Sequence, residues 1–216
     1  MAMEKRFFNA WADTVTGLNH LPHWDQAGAS YFLTIHLGDS LPVALVEQWR
    51  IERDKWLGAN PPPWNDEQEA RYHSRFSAAK EAWLDEGHGE CLLRRRELRE
   101  AMEKVITLFD RDRYWHHAWV IMPNHAHFLF SMKEGIALSD LAKAWKGTSS
   151  REIGRILRRR MTDDPLWQKD YFDRMIRDTP HFWNCARYIQ RNPTKAKLRE
   201  NDYTLYLSEE VQTALK

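Results

Sequence analysis

Two histidines stand two residues apart in Pro123-Asn124-His125-Ala126-His127-Phe128-Leu129-Phe130. The run is strand-like, and in a strand residues i and i+2 point to the same face. Two imidazoles placed this way converge, as a hairpin offering two ligands to a divalent metal would require. His116-His117 lie on the neighbouring strand-like run, where adjacent residues face opposite ways, so at most one shares that side. Further on, Tyr188 and Asn192 stand four apart in Ala186-Arg187-Tyr188-Ile189-Gln190-Arg191-Asn192-Pro193. On a helix that spacing puts both on one face. The phenol is then a candidate nucleophile and the Asn amide oxygen a neutral metal ligand. The plainer alternatives are a tyrosine anchoring a helix to a sheet and a C-cap before proline. Tyr171, before Phe172-Asp173-Arg174, competes for the nucleophile's role. Ser149 and Ser150 lie between Lys146 and Arg151, as phosphate contact would want, and Arg155 and Arg158 continue at helical spacing. With Lys143, Arg177 and Arg187 they make up the candidate phosphate contacts, Arg158 serving only to extend the stripe.

The elements that must position these groups follow from periodicity. Tyr31 to Leu37 reads as a strand stopped at Gly38-Asp39. Val43 to Leu57 and Glu67 to Leu84 read as helices separated by Asn60-Pro61-Pro62-Pro63. Cys91 to Phe109 reads as an amphipathic helix. Trp115 to Ile121 and His127 to Ser131 read as a tight antiparallel hairpin around Pro123-Asn124. Leu138 to Arg160 is expected to be a long helix ended by Asp163-Asp164-Pro165, and Tyr171 to Arg177 a short strand. His181 to Arg191 is expected to be a helix stopping before Asn192-Pro193, because a residue preceding proline avoids the helical region. Without residues 38–90 the order is β-α-β-β-α-β-α: an α+β class, ferredoxin-like split βαβ core with an antiparallel sheet and one added C-terminal helix. The Trp- and Pro-rich 38–90 segment becomes a helical insertion after the first strand of a single domain spanning 1–216.

The chain has 216 residues and a formal net charge of +1, which at face value argues against a nucleic-acid partner. The charge is segregated, however. Arg111 to Arg199 holds 18 basic and 9 acidic residues, and the remainder holds 14 basic and 22 acidic. A basic half is an electrostatic footprint for a polyanion. The expectation is DNA on one face only, with the acidic insertion kept away from it or limiting how much binds. No apolar run approaches the roughly 18 residues of a membrane span, and Met1 to His20 lacks the basic-then-apolar order of a signal peptide. Cys91 and Cys185 are isolated and read as reduced thiols of a cytosolic protein. No phosphate-binding GxxxxGK[ST] loop occurs, so no nucleotide cofactor is expected.

In combination these residues resemble the REP-associated tyrosine transposases, a branch of the single-tyrosine HUH transposases within the IS200-like group. The resemblance rests on the strand Tyr31 to Leu37, on Met122-Pro123-Asn124-His125-Ala126-His127, and on Leu138-Ser139 leading to Trp145-Lys146. It continues through Leu166-Trp167-Gln168, Tyr171-Phe172-Asp173-Arg174, Ile176-Arg177-Asp178 and Arg187 to Pro193. It covers roughly residues 28–37 and 95–200, and the 38–90 segment departs from the compact family pattern. The resemblance implies a bacterial cytoplasmic enzyme that nicks and rejoins single-stranded or hairpin-forming palindromic repeat DNA, acting as a monomer or homodimer. It implies that His125, His127 and Asn192 hold Mg²⁺ or Mn²⁺, and that Tyr188 attacks the scissile phosphate to form a 5′-phosphotyrosine. Cationic surroundings are expected to help expose the phenolate, since a free phenol titrates near ~10. Of Trp115, Trp119, Trp145, Trp167 and Trp183, no more than two are expected to touch bases.

Two rival classes stand beside this one. A non-catalytic nucleic-acid-binding protein, repressor-like on the same fold, would need neither the histidines nor Tyr188. A metal-dependent phosphoesterase would use water and form no covalent adduct.

Overall fold

The structure is a computed structural model that describes residues 7–9, 15–18, 22–61, 64–161 and 165–216. Strands β1 (Val15–Leu18) and β2 (Pro22–Asp25) pair as a two-stranded ribbon ahead of β3 (Ser30–His36). The segment expected to be an insertion follows as α1 (Val43–Ala59), then α2 (Asp66–Tyr72), which runs through a π-helical turn at His73–Ser77 into α3 (Ala78–Asp85). The chain continues through α4 (Arg96–Thr107), β4 (Tyr114–Ile121), β5 (His125–Met132), α5 (Leu138–Leu157) and β6 (Phe172–Met175). It closes with α6 (Thr179–Lys195), β7 (Thr204–Leu207) and α7 (Glu209–Ala214). The main sheet is antiparallel in the order β6-β3-β5-β4-β7. Its first four members and their two crossover helices form the split βαβ pattern, which β7 extends by one edge strand.

Alternation sorts the sheet into two faces. Tyr31, Leu33 and Ile35 on β3 and Phe128 and Phe130 on β5 pack with α4 and α5. Phe32 on β3, Ala118 and Val120 on β4 and Leu129 on β5 pack with Phe182, Cys185, Ala186 and Ile189 of α6. Helix α6 therefore covers one face and α5 the other. His125 and His127 lie on β5, the central strand, on the α6 side. Burial of both faces explains why β5 reads as an almost unbroken apolar run in which the two histidines are conspicuous.

The inserted helices carry their own aromatic cluster. Trp56 packs on Trp64 and Tyr72, Tyr72 packs on Phe76, and Trp49 Nε1 donates to the Phe76 carbonyl at 3.0 Å. Packing thus accounts for several of the segment's Trp and aromatic residues.

Local structure departs from periodicity in four places. Cys91 sits at φ 51°, in the left-handed region, so α4 starts at Arg96, after a 3-10 turn at Leu92–Arg94 held by the Leu93 N–H on the Pro123 carbonyl (3.0 Å). Helix α5 ends at Leu157, where Arg158 (φ 53°) turns left-handed and the Arg159 N–H closes on the Gly154 carbonyl. The expected stop at Asp163-Asp164 lies outside the described residues. The strand expected from Tyr171 shortens to Phe172–Met175. Helix α6 runs through Pro193 to Lys195 instead of stopping at Arg191. In its last turn proline forfeits one backbone bond, and both Asn192 and Pro193 are buried there. Periodicity in the N-terminal and C-terminal stretches did not suggest β1, β2, β7 or α7.

Candidate metal and tyrosine site

Each histidine of the pair is tethered by its Nδ1, leaving Nε2 to face outward from the strand. Thr34 is the cross-strand partner of His127, and its Oγ1 lies 2.8 Å from His127 Nδ1. His125 Nδ1 donates to Asn124 Oδ1 at 2.8 Å. The ring centroids are 4.7 Å apart. Such outer partners orient metal-binding imidazoles and fix which nitrogen is free. Burial holds both rings neutral: His125 is pushed down to about 3, with Lys195 adding to the effect. His127 lies well below its ordinary range through burial, then through His125, Lys195 and Arg174. A neutral imidazole is the form that binds metal. His36, the cross-strand partner of His125, shares this face and bonds Ser40 Oγ at 2.8 Å. Its place was legible only in the strand register.

Helix α6 brings the other two groups. Asp178 caps it by accepting from the His181 N–H (2.7 Å), and its apolar stripe seats it on the sheet. The Tyr188 ring meets His127 edge-on at 5.2 Å and Phe32 at 5.8 Å. Asn192 Nδ2 lies 3.5 Å from His127 Nε2. Two polar atoms here are buried and without a hydrogen-bond partner, His125 Nε2 and Asn192 Oδ1, while the Tyr188 hydroxyl shares a hydrogen bond with the Glu81 carboxylate. Such atoms are costly unless something else completes them. His125, Asn192 and Tyr188 all lie close to His127, on facing elements, and the donor set of two imidazoles and an amide oxygen fits a divalent ion. Tyr171 is buried in the core on the α4–α5 side, away from this pocket.

The surroundings of Tyr188 are not the cationic ones expected. Helix α3 of the insertion places Glu81 and Asp85 beside it. Glu81 pairs with Arg174 (3.4 Å) and Asp85 with Lys195 (2.7 Å), whose Nζ also lies 5.9 Å from the Tyr188 ring centre. Burial first, then the two carboxylates, push the Tyr188 phenol far above its ordinary value, and Arg174 only partly opposes them. Of the two expectations for this acidic segment, the contacts of Glu81 and Asp85 fit the one in which it limits what binds.

The expected DNA contacts divide. Lys143, Lys146, Ser149, Ser150, Arg151 and Arg155 lie on α5, whose core face packs against the opposite side of the sheet. Ser149 is fully buried, donating to the Trp145 carbonyl (2.6 Å) and accepting from Trp167 Nε1 (2.9 Å), so it locks α5 to the following loop and offers nothing to phosphate. Lys146 reaches the Lys169 carbonyl and Arg155 pairs with Glu152. Arg177 is exposed just before α6. Arg187 lines an open groove of about 320 Å³ with Asn184, Tyr188, Arg191, Asn192 and Lys195. Arg191 and Lys195 belong to the site and were not singled out from the sequence. Their i+4 and i+8 spacing from Arg187 carries the signal, which ending the helix at Arg191 concealed. Trp119, Trp145 and Trp167 are core residues, while Trp115 and Trp183 remain half-buried.

Two outcomes follow for the metal-free protein. Unfolded histidines titrate near ~6.5, and His125 does so in the fold only at about 3. Its contribution to stability is complete above pH ~6.5 and is lost as the pH falls toward the folded value, at about 2 kcal/mol by pH 5. Urea unfolding should show the midpoint falling from pH 7 to pH 5; a level midpoint contradicts a neutral buried pair. Glu81→Gln should lower the Tyr188 pKa, read from the ring-carbon NMR shift of labelled tyrosine, and an unmoved titration would show that the carboxylate does not act on the phenol.

Residues 92–192 match the family described as Transposase IS200 like. The REP-associated tyrosine transposase of Escherichia coli (strain K12) is 31% identical over 99 residues, which is 45% of this chain and 53% of that protein. The chain thus spans about half the length of the curated relative it matches. A solved REP-associated tyrosine transposase bound to a REP hairpin is 19% identical, with 82% of this chain and 74% of that one covered and a TM-score of 0.46. The matched stretch contains the histidine pair, Tyr188 and Asn192, and excludes the inserted helices. From Leu92 to Asn192, this chain matches the IS200-like transposase family.

Proposed function

We propose that the protein cuts and rejoins DNA strands through a covalent tyrosine intermediate, with single-stranded or hairpin-forming palindromic repeat DNA as substrate. The observation that carries this reading is the cluster around His127, with the His125 ring at 4.7 Å, the Tyr188 ring at 5.2 Å and Asn192 Nδ2 at 3.5 Å, in which His125 Nε2 and Asn192 Oδ1 are buried without a partner beside a cation-lined groove. The family match over the same residues supports it.

His125, His127 and Asn192 would hold Mg²⁺ or Mn²⁺. A bound divalent ion would polarise a non-bridging phosphate oxygen and offset the charge that develops there. The chain's own residues do the rest. Arg187, Arg191 and Lys195 along one side of α6 receive the backbone phosphates. Tyr188 Oη forms a bond to phosphorus as the bond to the 3′-oxygen breaks. The phenol proton is lost, and the leaving oxygen takes up a proton to become a free 3′-hydroxyl. The phosphodiester is conserved as a 5′-phosphotyrosine, so rejoining by the reverse attack needs no external energy. DNA entering the pocket meets Glu81 and Asp85 and competes with them for Arg174 and Lys195.

Those two carboxylates favour a second reading, a protein that grips DNA without cutting it, because they suppress the phenolate. Covalent capture separates the two. Incubated with Mn²⁺ and an end-labelled hairpin oligonucleotide, the wild type should give a denaturant-stable adduct and Tyr188→Phe none, with DNA binding retained. An adduct that survives Tyr188→Phe removes Tyr188 from the role. No adduct with either protein supports the non-cutting reading. For the metal, the double change His125→Ala/His127→Ala should abolish tight Mn²⁺ binding measured by electron paramagnetic resonance; equal binding in both proteins would rule out these ligands.

A further inference from the structure

Asn124 stands between the inserted helices and the histidine pair. It is almost completely buried at 1% exposure. Its Nδ2 donates to the carbonyls of Leu84 (3.1 Å) and His88 (3.3 Å), which belong to the end of α3 and the turn after it. Both lie in the insertion, outside the stretch that matches the family. With its amide hydrogens committed there, Asn124 turns Oδ1 toward His125 Nδ1 at 2.8 Å. An amide oxygen only accepts, so the ring must carry its hydrogen on Nδ1 and keep the lone pair on Nε2. Nε2 is the buried atom without a partner. An imidazole free in water prefers the opposite tautomer, in which a hydrogen would occupy the coordinating position.

We propose that Asn124 is a positioning residue that fixes the tautomer and direction of His125, and that the insertion sets Asn124 through the Leu84 and His88 carbonyls. This rests on the reading that His125 is a metal ligand. The segment from residue 38 to 90 is then part of the metal site rather than an appended module. The turn that presents the two carbonyls depends on Gly87, whose φ of 73° favours glycine and whose N–H closes on the Leu84 carbonyl at 3.1 Å.

The test uses the full chain, Mn²⁺ alone as the probe, and two variants shown to be folded by circular dichroism. Asn124→Ala removes the acceptor for His125. Gly87→Val distorts the turn while leaving every residue of the site unchanged, so it keeps the test open if the first variant does not fold. Each should bind Mn²⁺ about 10–100-fold more weakly, the usual cost of losing an outer partner of a ligand. In the metal-free proteins, imidazole ¹⁵N shifts should report His125 with its hydrogen on Nδ1 in the wild type and on Nε2 in the variants. A merely structural role for Asn124 would not move that signature. Wild-type affinity with an unchanged tautomer in either folded variant overturns the proposal and leaves the metal reading intact. Wild-type Mn²⁺ binding that survives loss of both His125 and His127 overturns the metal reading, and the proposal with it.

Discussion

The site depends on the tethering of two buried imidazoles by their Nδ1 atoms. Thr34 holds one and Asn124 the other, at 2.8 Å each. Burying two histidines on the central strand of a sheet is unfavourable unless each finds a partner. Once the inner nitrogens are satisfied, the outer ones stay available: His127 Nε2 lies 3.5 Å from Asn192 Nδ2, and His125 Nε2 has no partner. The register that sets Thr34 opposite His127 therefore also places the proposed ligands, because a one-residue slip would send the histidines to the other face.

The charge distribution has a different meaning in three dimensions. The basic half of the sequence splits between two sides of the sheet, with α5 packed on one and α6 on the other. The acidic insertion returns across the α6 side and places Glu81 and Asp85 against Arg174 and Lys195. Opposite charges that cancel in the chain total thus meet at the pocket itself. A near-neutral sum hid both the concentration of cations on α6 and the carboxylates that neutralise part of it.

Much of the architecture was legible because β3, β4 and β5 are short aromatic and β-branched runs bounded by turn residues, and α5 carries an apolar stripe at helical spacing. The histidine pair was legible for the same reason, since spacing on a strand fixes a shared face. Three things were not. The end of α6 was hidden because the general avoidance of helix before proline is outweighed in a last turn where Asn192 and Pro193 are buried. Ser149 looked like a phosphate ligand because a hydroxyl between cations reads the same whether it faces solvent or, as here, Trp167 Nε1. The roles of Glu81, Asp85 and Leu84 arise from contacts some forty to more than a hundred positions apart in the chain, which no local pattern records.

The central claim is that the chain brings a histidine-lined metal pocket and one particular phenol together. Mass-spectrometric peptide mapping of nuclease-trimmed protein–oligonucleotide adduct tests it most directly. A nucleotide remnant is expected on the peptide containing Tyr188, dependent on added divalent ion. A remnant on the Tyr171 peptide, or on any other residue, would contradict it.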